Sequence, residues 1–100
     1  MTYEVVMFKA NAGVSREDVI SAVAKTQPII EAFDGFIARQ LLEGEDGQWM
    51  DLVQWQSMEQ AKAAAAEVEQ NESLAEAFSV IDFSTVQMLH LDDVTLIGAK

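Results

Sequence analysis

The chain has 100 residues, half of them hydrophobic, and a formal net charge of −11 at pH 7. This length suits one domain over residues 1–100 with a single core, and the composition is that of a globular protein. The charge argues against a nucleic-acid partner and against an anionic membrane surface, because both carry negative phosphates.

The chain contains no cysteine, which excludes disulfides, thiolate metal sites and a cysteine nucleophile. The N-terminal sequence MTYEVVMFKA lacks the basic region and long apolar run of a signal peptide, and no apolar run approaches the length of a membrane span. We therefore expect a soluble, cytoplasmic protein. A single histidine, His90, cannot build a multi-histidine metal site, so no metal is predicted.

The hydrophobic pattern predicts the order β-α-β-β-α-β. The helices begin after Ser15 and after Ser57, two residues that are good N-caps. Pro28 predicts a kink or a short break in the first helix. The second helix is expected to break near Asn71, with a new capping box formed by Ser73 and Glu76. The strands are predicted at residues 2–9, 36–43, 48–56 and 81–91, with a short extra edge strand at 94–97.

The loop Glu45-Asp46-Gly47 predicts a three-residue hairpin turn with glycine in the left-handed conformation. This turn pairs Gly44 with Gln48 and sets Arg39 opposite Val53. Arg39 and Asp51 then share one face as diagonal neighbours, close enough for their side chains to meet. A slip of one residue would place them on opposite faces.

This order of elements predicts an α+β, ferredoxin-like fold, with a four-stranded antiparallel sheet and both helices on one face. The strands, however, are apolar on both faces. If Phe36, Met50 and Leu52 lie under the helices, then Trp49, Val53 and Trp55 need another cover. Because an open apolar sheet face is unusual on a monomer, we expect a homodimer that packs sheet against sheet, with Arg39 and Asp51 between the sheets.

Each candidate site residue also has an ordinary structural role. Trp49 and Trp55 are more often core or interface aromatics than ligand contacts, and Arg39 with Asp51 is more often a structural ion pair than a catalytic one. His90 near a strand end is most often a partly exposed residue. Met88 shares its face of the last strand with His90, and the pattern does not decide whether that face lines the cleft.

Two linked motifs carry a resemblance to a known family. The segment from Gly35 to Leu42, GF-x-x-R-x-LL, is followed from Asp46 to Ser57 by DG-x-W-x-D-x-V-x-W-x-S and then by an alanine-rich helix. These motifs resemble the antibiotic-biosynthesis-monooxygenase-like family of the dimeric α+β barrel superfamily, over residues 2–91. The resemblance implies a cleft between sheet and helices that binds a small aromatic ligand.

The resemblance also implies candidate chemistry. Relatives include cofactor-independent monooxygenases of polycyclic phenols and quinones, haem-degrading enzymes and small proteins without a known reaction. In the oxygenase branch tryptophan, arginine and asparagine are implicated in binding and deprotonating substrate. Here the resemblance carries over to Trp49, Trp55 and Arg39 only, since no asparagine lies on a predicted strand. Haem-degrading relatives carry an asparagine on the first strand, where this chain reads VVMFK.

Three functions therefore compete. A cofactor-free oxygenase would hold an aromatic ring with Trp49, Trp55 and Met88, stabilise its anion with Arg39 and move a proton through Asp51 or His90. A non-catalytic protein of the same fold would hold a small apolar molecule or nothing. A haem-binding variant with His90 as axial ligand comes third.

Overall fold

The computed structural model describes all 100 residues and contains eight short elements of secondary structure. The four strands are β1 (Thr2–Ala10), β2 (Phe36–Glu43), β3 (Trp49–Trp55) and β4 (Ile81–Asp92). Their order in the sheet is β2-β3-β1-β4, with every neighbouring pair antiparallel. This is the predicted ferredoxin-like arrangement. In chain order, the elements are β1, α1 (Arg16–Ile30), β2, β3, α2 (Met58–Gln70), α3 (Glu72–Ala77), a 3₁₀ turn (Phe78–Val80) and β4.

The helix ends follow local capping chemistry, with two departures from the sequence predictions. Helix α1 begins with a capping box between Ser15 and Asp18 and continues past Pro28 to Ile30, so the helix has no break at the proline. Asn71, rather than Ser73, caps α3, because its side chain accepts a hydrogen bond from the amide of Leu74. An Asn side chain satisfies an otherwise unpaired amide as well as a serine does.

The hairpin between β2 and β3 has the predicted register. The amide of Gly44 donates to the carbonyl of Gln48 at 2.8 Å, and Arg39 lies opposite Val53. Asp46 as well as Gly47 adopts a positive φ, of 57° and 75° respectively. An aspartate tolerates this conformation because its short polar side chain can bond locally.

The end of the chain does not form the predicted edge strand. Residues 94–97 have no regular secondary structure, and Val94 and Ile97 are each 95% exposed. The sheet edge at β4 ends instead at Asp92. The amide of Asp93 still donates to the carbonyl of Met1 at 3.1 Å, but residues 94–97 make no backbone hydrogen bond of this kind. A further strand would need such bonds for its backbone groups.

The helices cover the sheet face that carries the tryptophans, which corrects the face assignment made from the sequence. Val53 and Trp55 pack with Leu74 and with Ala61 and Ala64 of α2. The small alanines allow α2 to lie close to the sheet, and the large tryptophan fills the remaining space. A second core cluster joins Phe8, Val19, Val23, Trp49 and Ile81.

The opposite face of the sheet, called the outer face below, is apolar and uncovered in the single chain. Val5 pairs with Leu52 on one side and with Leu89 on the other, so these three side chains share this face. Leu89 is 53% exposed and Leu91 is 50% exposed. The two apolar faces expected from the sequence are therefore present, but the helices cover the opposite one. Of the residues predicted under the helices, Phe36 does pack there, because the β2–β3 register shifts between Phe36 and Ala38.

Candidate functional site

A row of four polar side chains crosses the sheet beneath the helices, one from each strand. His90 on β4 lies opposite Glu4 on β1, and Glu4 lies opposite Val53 on β3. Asp51 precedes Val53 by two residues and so shares its face. Arg39 on β2 completes the row, which we call the polar row: His90, Glu4, Asp51 and Arg39. The tertiary fold thus brings four ionisable groups to one line in an otherwise apolar layer.

Arg39 and Asp51 form a two-pronged ion pair at the β2 end of the polar row. Arg39 Nε donates to Asp51 Oδ1 at 2.9 Å, and Nη2 donates to Oδ2 at 2.7 Å. The side chains are only 6% and 11% exposed. Arg39 Nη1 also donates to Thr26 Oγ1 at 2.9 Å and to Gln27 Oε1 at 3.2 Å, which ties the sheet to α1. Such parallel N–H···O bonds to a carboxylate are among the strongest in proteins.

Glu4 and His90 form a second pair at the β4 end of the row. His90 Nε2 and Glu4 Oε2 lie 2.9 Å apart, and the two side chains are 16% and 12% exposed. Burial raises the pKa of Glu4 above its ordinary value, while the hydrogen bond with His90 and the charge of His90 oppose that rise. The charge of Asp51 raises the Glu4 pKa further, and Arg39 lowers it. Glu4 is therefore a carboxyl group that gains a proton more readily than an exposed glutamate does.

A cavity of about 290 Å³ lies between the polar row and the helices. Its walls are hydrophobic and include members of both core clusters, such as Phe8 and Trp55. The lining residues that are not hydrophobic are Glu4, Arg39, Asp51 and Glu69. An apolar pocket with a few convergent polar groups is the usual form of a small-molecule site.

Trp55 adds an unsatisfied donor next to the cavity. Its side chain is 1% exposed, and its indole Nε1 is buried without a hydrogen-bond partner. The ring packs edge-on against Phe36, with the ring centroids 5.8 Å apart. A buried donor without an acceptor is costly, so an acceptor atom supplied by a ligand or a water would gain more here than at an exposed site.

The structure brings together four of the six candidate residues from the sequence. Arg39, Asp51, Trp55 and Met88 line the cavity. His90 and Trp49 do not belong to the lining. His90 reaches the site through Glu4, whereas Trp49 stacks on Phe8, with the ring centroids 6.4 Å apart and the planes 11° from parallel.

Sequence reasoning did not identify Glu4 or the far wall of the cavity. Glu4 is a lone carboxylate in the apolar strand TYEVVMF, on the side that also carries Val6 and Phe8. A charged residue in such a position needs a partner, and that was the available signal. Phe83 also lines the cavity beside Val86 and Met88, because the register of β1 and β4 shifts between Met7 and Lys9.

The structure shows neither a membrane-spanning helix nor a metal cluster. No helix is long and apolar enough to cross a membrane. No three His, Cys, Asp or Glu side chains are grouped so that they could hold a metal ion.

The fold and the cavity define the class of protein: a small α+β protein with a pocket between one sheet face and its helices. The particular fold is that of the antibiotic biosynthesis monooxygenases. No protein-family model and no curated protein sequence matches the chain. The likeness is therefore one of three-dimensional structure.

Three solved structures illustrate the likeness. SnoaB, a cofactor-independent oxygenase from Streptomyces nogalater, superposes with a TM-score of 0.66 at 16% identity, covering 97% of each chain. The ActVA-Orf6 monooxygenase of Streptomyces coelicolor, in complex with the ligand nanaomycin D, gives 0.67 at 16% identity, covering 99% of this chain and 92% of that one. MhuD, a haem degrader from Mycobacterium tuberculosis with two haems in its active site, gives 0.69 at 20% identity, covering 98% and 100%.

Proposed function

We propose that this protein is a cofactor-independent monooxygenase that acts on a small aromatic or quinone-type molecule. The observation that carries the proposal is the apolar cavity of about 290 Å³ with a guanidinium and three carboxylates in its lining. The fold shared with an oxygenase described as cofactor-independent supports it. The ligand complex of a second monooxygenase with this fold supports a small organic substrate.

The position of each residue in the site determines its proposed role. Trp55 and Met88 contact the ring of the substrate, and Trp49 supports the cavity wall through its stacking on Phe8. Arg39 stabilises the negative charge that develops on a substrate oxygen, and Asp51 holds the guanidinium in place. A fixed cation in a site shielded from water stabilises such a charge far more than it would in water.

The reaction requires only the substrate and dioxygen. A ring CH₂ next to a carbonyl, or the O–H of its phenol tautomer, loses a proton to a carboxylate of the polar row, and His90 shares that proton through Glu4. The substrate anion then reacts with dioxygen. For a ring CH₂, one oxygen atom remains as a new carbonyl, and the other leaves as water with the two hydrogens. No bond to a cofactor forms or breaks.

Oxygen consumption tests the proposal. The protein is incubated with polycyclic phenols and anthrone-type compounds, and uptake of dioxygen and formation of the quinone are followed together. Arg39→Met should lower turnover, because the anion loses its cation. The matched control is Arg16→Met, which removes an exposed arginine of α1 whose partner is Glu43. Turnover that is equal in wild type and Arg39→Met would contradict the role of Arg39.

A non-catalytic, ligand-binding protein is the second candidate. The observation in its favour is that both oxygens of Asp51 and most of the Arg39 donors are already engaged inside the protein, as in a structural ion pair. In that case an aromatic ligand would change the fluorescence of Trp55 without any uptake of dioxygen. Haem stays the third candidate, because His90 Nε2 is engaged with Glu4 and His90 is not part of the cavity lining.

We further propose that the protein works as a homodimer through the outer face of the sheet. Leu89 and Leu91 are half exposed there, and Leu42 on the same face is 38% exposed. These side chains form an apolar surface that a second copy of the chain would cover. A cytoplasmic location stays a prediction.

A further inference from the structure

Glu4 differs from Asp51 in having a carboxylate oxygen that is free to react. Both oxygens of Asp51 accept hydrogen bonds from Arg39. Glu4 uses only Oε2, which pairs with His90 Nε2 at 2.9 Å. Glu4 Oε1 makes no hydrogen bond in the structure. The Trp55 indole nitrogen is the single side-chain atom that is both fully enclosed and without a partner, so Glu4 Oε1 is not fully enclosed. The Glu4 side chain lines the cavity, so its free oxygen is accessible to a ligand.

The surroundings of Glu4 also make it a stronger base than an exposed glutamate. The charged groups that face it are His90 on β4, Asp51 on β3, Arg39 on β2 and Glu69 of α2 across the cavity. Burial is the main cause that raises the pKa of Glu4, and the charge of Asp51 adds to it, while His90 and Arg39 lower the pKa without cancelling the rise. A base whose pKa lies nearer to the working pH is more effective in proton transfer.

We infer that Glu4 is the residue that accepts the substrate proton, and that His90 positions it. This inference rests on the proposed function and assigns to Glu4 the proton-transfer step for which Asp51 and His90 were the predicted candidates. A C–H bond next to a substrate carbonyl breaks, and its electron pair stays on the substrate as an enolate. The proton forms an O–H bond at Glu4 Oε1. The guanidinium of Arg39, which also lines the cavity, stabilises the enolate charge, and no oxidant takes part in this step.

Hydrogen–deuterium exchange isolates this step from the oxygen chemistry. The probe is 2-tetralone, an aromatic ketone with acidic C–H bonds, incubated with the protein in D₂O under nitrogen and followed by proton NMR. Wild type should accelerate the exchange, and Glu4→Gln should slow it by about 100-fold or more. Glu45→Gln, the same change at the exposed hairpin, should match wild type. An equal exchange rate in Glu4→Gln and wild type, or no acceleration by wild type, would overturn the inference.

The pH profile gives a second test that needs no variant. With Glu4 as the base, the exchange rate of wild type should rise with pH through a pKa above the ordinary glutamate value of 4.5. A rise centred at or below 4.5 would contradict the inference even if Glu4→Gln did not fold. The His90→Gln variant should keep a hydrogen bond to Glu4. It should shift the pH at which the exchange rate rises, with a smaller effect on the maximal exchange rate.

The two proposals fail in different ways. If wild type exchanges 2-tetralone under nitrogen but never consumes dioxygen with any phenol or anthrone, the monooxygenase proposal is wrong and the role of Glu4 stands. If wild type consumes dioxygen and Glu4→Gln does so at the same rate, the role of Glu4 is wrong and the monooxygenase proposal stands.

Discussion

Arg39 and Asp51 meet beneath the helices as a two-pronged ion pair, with Nε–Oδ1 at 2.9 Å and Nη2–Oδ2 at 2.7 Å. The pair joins neighbouring strands and reaches α1 through Thr26 and Gln27. Because both Arg39 and Asp51 line the cavity, the same ion pair stabilises the fold and supplies charge to the site.

Removing one member of this pair should strongly destabilise the protein. Arg39→Met or Asp51→Leu leaves a buried charge without its partner, which should lower the free energy of unfolding by about 3–5 kcal/mol. The double variant should recover much of that loss, because apolar residues of similar size pack well in such positions. Urea unfolding at constant pH measures all three. A double variant no more stable than the weaker single variant would show that Thr26 and Gln27 also depend on the guanidinium.

Replacing Val53 with Asp should unfold the single chain rather than only separate a dimer. Val53 is 3% exposed and belongs to the core beneath α2, so the new carboxylate would be buried without a partner, at a cost of about 3 kcal/mol or more. Leu89→Asp is the matched change on the outer face, where it should weaken assembly with little loss of stability. Light scattering and urea unfolding distinguish the two effects. Equal effects of both changes on assembly alone would contradict the observed face assignment.

The raised pKa of Glu4 predicts a pH-dependent stability. A carboxyl group with a folded-state pKa above its unfolded value stabilises the protein fully below the unfolded pKa, and this stabilisation is lost as pH rises through the folded pKa. For Glu4 the loss should begin near 4.5 and continue upwards. Glu4→Gln removes this contribution, so its stability relative to wild type should increase with pH across that window. Urea unfolding at a series of pH values measures the difference, and parallel curves would show that Glu4 does not titrate there.

Haem should not bind through His90. The imidazole is engaged with Glu4 and lies outside the cavity lining, and no asparagine is present on β1. Titration of wild type and His90→Ala with haemin should therefore give the same absorption spectra. A sharpened Soret band that appears in wild type and disappears in His90→Ala would establish a haem ligand and overturn this expectation.

The sequence by itself determined the features that depend on neighbouring residues. The turn at 45–47 fixed the register of the β2–β3 hairpin, and with it the shared face of Arg39 and Asp51. This is possible because a hairpin turn sets pairing by its length, and side chains alternate along each strand. Serine caps likewise predicted the starts of α1 and α2.

Only the tertiary structure decided which face of the sheet the helices cover and which groups join the polar row. Both faces of the strands are apolar, so the alternation of side chains along a strand could not show which face the helices cover. The packing of Trp55 against the alanines of α2 determines that face. Glu4 and His90 are 86 residues apart, and only the pairing of β1 with β4 brings them together. Long-range pairing depends on the packing of the whole sheet. The lone carboxylate in the first strand therefore indicated that a partner was needed, but no local pattern identified His90 as that partner.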